Sequence, residues 1–434
     1  MDYKITKKKI YCILAFVMGL SVFENISSVF VIGSTRFVFS LVYAVFLFIV
    51  LFFFDIKRMV SIFKAIPKSL LLFVIICIVS IMPGIVYFGS VSIIVRYLMG
   101  LISLILVILA VFDVIFLSEY RRFIVYGLFV GLLLNALISL FAYLSYKRGQ
   151  VFTLQGFFPN TENFYVPMYS FRAQGFFLEP SHYLRFFITS FIIVCWYYLT
   201  NAKKRGKILF FTLTFLEIPV LMLSGSGSVV IVFLMVFGFL ILSDKRIRRM
   251  VLPALVIISV LLIVVLIFNP SIFEMYSGYI ADIFSGGNIT SDDNKVRLDS
   301  MKVYLDYALS YPFGIGFNQT GTLGIRDNVV TTAAYSEYIE IFLETGLFGI
   351  VTYVFSMCLI ILKLIKNKTN YSIALAITLV GICVLQVGTD YFADVSFAIV
   401  IGLSISYIKQ KEVRRVQNGK KDFVYNDKCV SFLQ

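Results

Sequence analysis

Residues 121–146 read RRFIVYGLFVGLLLNALISLFAYLSY, two arginines followed by an apolar, charge-free run. A helix rises about 1.5 Å per residue, so a run of this kind covers a bilayer core of roughly 30 Å. Lys/Arg clusters mark the cytoplasmic ends of such spans. Arg121 and Arg122 therefore put the start of this one inside, and the same unit recurs in both directions along the chain. Upstream, the pattern predicts spans over residues 10–32, 37–54, 69–88 and 92–112, with Pro83–Gly84 breaking the end of the third. Downstream it predicts spans over 183–200, 208–223, 229–243, 250–268, 338–362, 371–388 and 391–408. Inside clusters are Lys4 to Lys9, Lys57 to Lys68, Lys203 to Lys207, Lys245 to Arg249, Lys363 to Lys368 and the tail from Lys409. The expected architecture is all-α and polytopic, with about 12 transmembrane helices and both termini cytoplasmic. Residues 1–434 read as a single membrane domain with long extracytoplasmic loops at about 147–182 and 269–335 and a cytoplasmic tail at 409–434. Short amphipathic helices are expected in those loops. The basic, apolar N-terminus lacks a small-residue cleavage site and reads as an uncleaved first span.

Composition agrees with this reading. The chain is 60% hydrophobic and only 14% charged, with a mean hydropathy of +0.94. No soluble core of this size hides that much apolar surface. The net charge of +14 is concentrated in the inside clusters, so it reports topology and gives no support to a nucleic-acid partner. None of the six cysteines falls in an expected outside loop, and His182 is the sole histidine. The expectation is no structural disulfide, no zinc or haem site, no other metal and no cofactor.

Ten of the 38 Lys and Arg residues break the inside bias: Arg36, Arg96, Lys147, Arg148, Arg172, Arg185, Lys295, Arg297, Lys302 and Arg326. Cations beyond or within the bilayer oppose topogenesis, and such residues commonly serve binding. The first loop ends in Phe171-Arg-Ala-Gln-Gly-Phe-Phe-Leu-Glu-Pro-Ser-His182. Arg172 suits bidentate contact with phosphate oxygens, and Glu179 or His182 suits proton removal from a hydroxyl. The blander reading is an aromatic loop anchored on the bilayer, with Arg172 snorkelling to headgroups. Aromatic residues between Phe157 and Phe171 suit stacking on sugar rings.

In the second loop, Arg297 is the other anion-binding candidate, against an ion pair with Asp293 or Asp299. Val296, Val303, Leu305 and Leu309 suggest a helix along the membrane surface. The turn Tyr311-Pro-Phe-Gly314-Ile-Gly316 lets backbone approach a ligand closely. Glu337, Glu340 and Glu344 then fall at i, i+3 and i+7, one helical stripe suited to sugar hydroxyls, a base or a divalent cation, or else a plain solvated face. Glu217 and Arg96 are intramembrane charges, and Arg185 sits near a span end, where an interfacial anchor would also fit.

The order of Arg172-x-x-Gly175-x-x-x-Glu179-Pro180, the Ser224-to-Ser228 Ser/Gly turn, Pro312-x-Gly314-x-Gly316 and Tyr338-Ile-Glu-Ile-Phe-Leu-Glu344-Thr-Gly346-Leu-Phe-Gly349 resembles the O-antigen polymerase and O-antigen ligase superfamily. The resemblance covers the middle and late parts of the chain. It implies a metal-independent glycosyltransferase of a bacterial inner membrane, working on the extracytoplasmic face with polyprenyl-diphosphate-linked oligosaccharide as donor and acceptor. Arg172, Arg297, Glu179 and Glu337 would be catalytic. His182, Arg185, Tyr335, Glu340, Glu344, Gly314 and Gly316 would contact substrate. Ligases of this superfamily usually carry His-Asn where this chain has Tyr335–Ser336, and relatives often end the Ser/Gly turn in Arg. Both departures favour a polymerase of O-antigen or capsular type over a ligase. A chain-length regulator and a flippase are the implied partners beside the bilayer. A lipid-linked glycan flippase or exporter, and a scaffold, are the other classes; a transporter would place its working charges along the spans.

Overall fold

The computed structural model describes residues 2–20, 28–32, 35–88, 91–150, 172–177, 180–226, 228–245, 247–249, 292–327, 334–388 and 395–419. Among them the chain is helical apart from one hairpin. In order come α1 (Asp2–Gly19), β1 (Ser28–Ile32), β2 (Thr35–Val38), α2 (Phe39–Phe54), α3 (Ile56–Phe63), α4 (Lys68–Val79), α5 (Ile81–Phe88) and α6 (Val91–Leu117). A 3-10 turn, Ser118–Tyr120, leads to α7 (Arg121–Lys147), α8 (Pro180–Asn201), α9 (Lys204–Leu223) and α10 (Ser228–Leu242). Then follow α11 (Asp292–Ser310), α12 (Thr320–Arg326), α13 (Glu337–Lys366), α14 (Asn370–Leu385) and α15 (Val395–Gly419).

Five of the described helical stretches are long and apolar enough to cross a membrane: 68–87, 94–147, 180–201, 204–223 and 337–366. Shorter apolar helices cover 43–53, 228–242 and 370–385. This is an integral membrane protein. Twelve separate crossings are not all visible among the described residues, and the expected span at 250–268 lies outside them. The run 94–147 would measure about 80 Å if straight, far more than a bilayer core. The 3-10 turn divides it, and Tyr11 of α1 meets Phe116 just before the turn and Tyr120 within it.

Two expected spans differ in the structure. The first was expected to run through residue 32, but α1 ends at Gly19 and Ser28–Val38 pairs as an antiparallel hairpin, with Val31 opposite Arg36 and Ile32 opposite Thr35. Its β-branched and aromatic side chains suit a pleated ribbon as well as they suit a buried helix, so apolarity alone misjudges it. The third span breaks at Ser80, between α4 and α5, before Pro83 rather than at Pro83–Gly84. A proline ring inside a helix clashes with the carbonyl four residues back, which here belongs to Val79.

The basic clusters meet at one end of the helix bundle. Lys7 pairs with Asp55 (3.7 Å) and Arg58 with Glu119 (3.2 Å). Ser118 is bonded to Ser406, Asn370 to Asp244, and Lys363 to Glu412. Arg121 lies over the Tyr371 ring, which meets Tyr407 edge-on. Such ion pairs add little stability singly. Their value is topological, because the charged groups named here come from segments that the charge pattern put on one side, and Tyr371, Ser406 and Tyr407 from the adjoining span ends. α1 and α7 approach closely enough that a Cβ on Gly19 would stand 2.1 Å from the Ile124 carbonyl oxygen. Small residues permit such backbone approach between helices in lipid.

Candidate active site

At the opposite end of the bundle, the segment 172–177 is threaded between α7 and α9. Ala173 N–H donates to Leu223 O (2.8 Å), and Phe176 N–H to Asn135 Oδ1 (2.9 Å). Gly175 takes a φ of +59°, and a Cβ there would stand 1.9 Å from Asn135 Oδ1. The glycine three residues after Arg172 is thus required by both conformation and space. Arg172 is exposed, yet Nε donates to Ser224 O (3.2 Å) and Nη2 to Gly225 O (3.0 Å). It closes the carbonyl end of α9, where a cation also meets the negative end of the helix dipole. A guanidinium has five N–H donors, so others stay available to an anion.

Pro180 occupies the first position of α8, where its missing N–H costs nothing. Glu179 lies outside the described residues. His182 is half-buried and Arg185 buried on the first turns of α8. Between them the Tyr183 hydroxyl donates to the buried Glu217 carboxylate, tying α8 to α9.

The second candidate region is built on a broken helix. Gly346, at φ +72° and ψ −173°, interrupts α13. The interruption leaves main-chain groups that a continuous helix would pair. The turn 312–316 supplies the partners. Ile315 N–H donates to Leu343 O (2.9 Å), Gly316 N–H to Glu344 O (3.0 Å), and Leu347 N–H to Pro312 O (2.9 Å). Gly314 and Gly316 take φ of +83° and +107°. A Cβ on Gly314 would stand 2.5 Å from Glu344 O. These glycines bring backbone against backbone, and the close approach expected toward a ligand is made within the chain.

The three acids of α13 are not a solvated face. Glu337 is buried, its N–H donates to Gln386 O (3.0 Å), and Gln386 is bonded in turn to the buried Tyr353 hydroxyl. Glu340 faces Tyr304 of α11. Burial first, then Glu340 and Tyr307, pushes the Tyr304 phenol up to about 12. Glu344 is buried and accepts from Thr320 N–H (3.1 Å) and Thr320 Oγ1 (2.9 Å), so its carboxylate anchors the start of α12. Among the described residues no three His, Cys, Asp or Glu side chains converge as metal ligands. Glu344→Ala is expected to lower stability by about 1–3 kcal/mol for each donor left unmet, and Glu344→Gln by less. Thermal unfolding of the purified variants in detergent measures the difference.

Arg297 is exposed and lies over the Tyr335 ring at 5.2 Å. Tyr335 has φ +52°, a left-handed conformation costing about 1–3 kcal/mol. Among the described residues Arg297 has no carboxylate partner, Asp299 included. Tyr304 and Ala308 of α11 bury against Ile315, Leu323 and Leu343 in a small core of their own. That core holds α11 alongside the first turns of α13 and sets Arg297 at the corner before Glu337. Val296, Val303, Leu305 and Leu309 are exposed, as an interfacial helix requires. The structure thus sets Arg297 on the Tyr335 ring, just before Glu337 opens α13, and sets Arg172 on the α9–α10 turn. Asn135, Gln386, Tyr353 and Thr320 were not singled out in the sequence. For Asn135 and Gln386 the available signal was an amide at an apolar span or its end.

On α12 the Arg326 guanidinium, at 2.6 Å, holds the Asp327 carboxyl below the usual carboxylate range. A depressed folded-state value stabilises the fold above the unfolded value of about 4, and the gain is lost as pH falls through the folded one. Asp327→Asn should therefore be modestly less stable than the parent near neutrality, with the gap closing in acid. Melting curves recorded across that range test the sign.

A family model described as O-antigen ligase matches residues 210–354. The match supports the superfamily resemblance over that stretch. It runs from α9 through the broken α13, taking in the Ser/Gly turn, Arg297, the Pro-Gly turn and all three α13 acids. Arg172, Glu179 and His182 precede it. No curated protein matches the chain.

Proposed function

We propose that this protein is a polysaccharide repeat-unit polymerase. It transfers a growing glycan from polyprenyl diphosphate to a sugar hydroxyl of another lipid-linked repeat unit. The observation that carries the reading is the O-antigen ligase match enclosing the corner of Arg297, Tyr335 and Glu337. The acceptor oxygen attacks the anomeric carbon of the donor, and the bond from that carbon to the diphosphate breaks. The diphosphate leaves with the electron pair, and Arg172 and Arg297 meet its charge. Glu179, Glu337 or His182 takes the acceptor proton. Arg185, Tyr335, Glu340, Glu344, Gly314 and Gly316 shape the substrate side, the last three by holding the backbone that carries it. The end of the bundle with the basic clusters faces the cytoplasm, with both termini, and the site faces outward from a bacterial inner membrane. A chain-length regulator and a flippase are the fitting partners.

The test is reconstitution with lipid-linked repeat units. A ladder of products spaced by one repeat is expected, and units recovered unchanged in size would refute the polymerase. The description of the matching family favours a second reading, a ligase-type transfer of the glycan to a different acceptor. Transfer to an acceptor lacking diphosphate, without a ladder, would select it.

A further inference from the structure

Arg96 is an exposed cation on the apolar first turns of α6, among the exposed side chains Ile94, Val95, Leu98 and Ile102. The second loop grips this turn. Asn318 Nδ2 donates to Arg96 O (2.8 Å), and Asn318 packs onto Gly100 so tightly that a Cβ there would stand 2.4 Å from its own Cβ. Arg96 Nη1 donates to Thr322 Oγ1 (3.1 Å), and that hydroxyl donates onward to Gln319 Oε1 (2.9 Å). The guanidinium is thereby oriented, and among the described residues Thr322 is its one side-chain hydrogen-bond partner, which leaves other N–H donors for a ligand. Among the described residues no carboxylate is in ion-pair range of it. Arg326 stands four positions after Thr322 on α12, its charge already met by Asp327. A snorkelling arginine needs no such pinning. A cation oriented on an exposed apolar helix face, with no carboxylate beside it among the described residues, is suited to an anion from outside the chain.

We propose that Arg96, oriented by Thr322, is a binding site for the phosphate groups of a lipid diphosphate at the membrane rim. Planar, bidentate contact suits those oxygens, and the isoprenoid tail would lie along Leu98, Ile102 and Ile105 of α6, all exposed. The choice of a polyprenyl lipid rests on the polymerase reading; the phosphate site itself does not. It would receive the substrate before Arg172 and Arg297 do.

The experiment is photolabelling of the full chain in phosphatidylcholine nanodiscs. Diazirine-bearing farnesyl diphosphate is the probe and labelled α6 peptides are the readout. Arg96→Gln should cut that labelling about tenfold, and Thr322→Val, which keeps the charge and loses its orientation, about threefold. Labelling by a diazirine phosphatidylglycerol should not change. Unchanged farnesyl diphosphate labelling in both variants overturns the site. An equal loss of both labels also overturns it, in favour of a general headgroup anchor. Protection by inorganic pyrophosphate as strong as by farnesyl diphosphate overturns the lipid assignment. A wild-type protein that labels but builds no ladder would sink the polymerase and leave this site standing.

Discussion

Arg297→Ala protein is expected to lose chain extension by about two orders of magnitude or more while keeping its thermal stability. The guanidinium has one described partner, the Tyr335 ring, and an exposed cation–π contact is worth about 0.5–1 kcal/mol. Removing a donor that meets charge developing in a transition state costs about 3–4 kcal/mol. The two effects differ enough to be separated by measuring extension rate and melting temperature on the same sample. Arg297→Lys should recover part of the rate, because it restores charge without the planar fork. Wild-type product lengths from Arg297→Ala would remove this residue from the mechanism. Arg172→Ala should also abolish extension, but it is the less clean probe. It strips two hydrogen bonds from the end of α9, so a loss of rate there mixes chemistry with scaffolding.

Gly346→Ala is expected to be among the substitutions most damaging to the fold. Its φ of +72° is one that side-chain-bearing residues rarely adopt, and its Cβ would lie 2.5 Å from Pro312 O and 2.6 Å from the Phe313 carbonyl carbon. Backbone incompatibility alone costs about 1–3 kcal/mol, and here the clash is with main chain, which no rotamer change relieves. Returning the residue to helical φ would instead close the gap that receives the 312–316 turn. The expected result is little or no folded protein by size-exclusion chromatography. Gly238→Ala on α10, where nothing lies within 4 Å of the added Cβ, should be tolerated and serves as the control. Full yield and unchanged melting for Gly346→Ala would mean that the break in α13 is not needed.

The membrane class was legible because its signals are local: apolar length and basic flanks. Helices α8, α9, α10 and α13 begin and end within a few residues of the expected spans, since each is bounded by a cluster, a proline or a Ser/Gly turn. Less legible was anything made by backbone meeting backbone from distant parts of the chain. The Pro-x-Gly-x-Gly turn and the Glu-x-Gly run read as two motifs, and the structure makes them one joint. Glu344 read as a substrate contact by spacing, yet its carboxylate holds α12 through Thr320, a partner 24 residues away that no periodicity points to. The hairpin at Ser28–Val38 was hidden for the opposite reason, because its composition fits strand and span equally.

The repair of α13 by the 312–316 turn uses carbonyls and amides only. A splice of that kind is indifferent to which side chains its residues carry, apart from the glycines that make room for it. Phe313, two-thirds exposed at 65%, can therefore be exchanged without loosening the membrane helix beneath. The protein can retune its outer surface while the seam underneath stays closed.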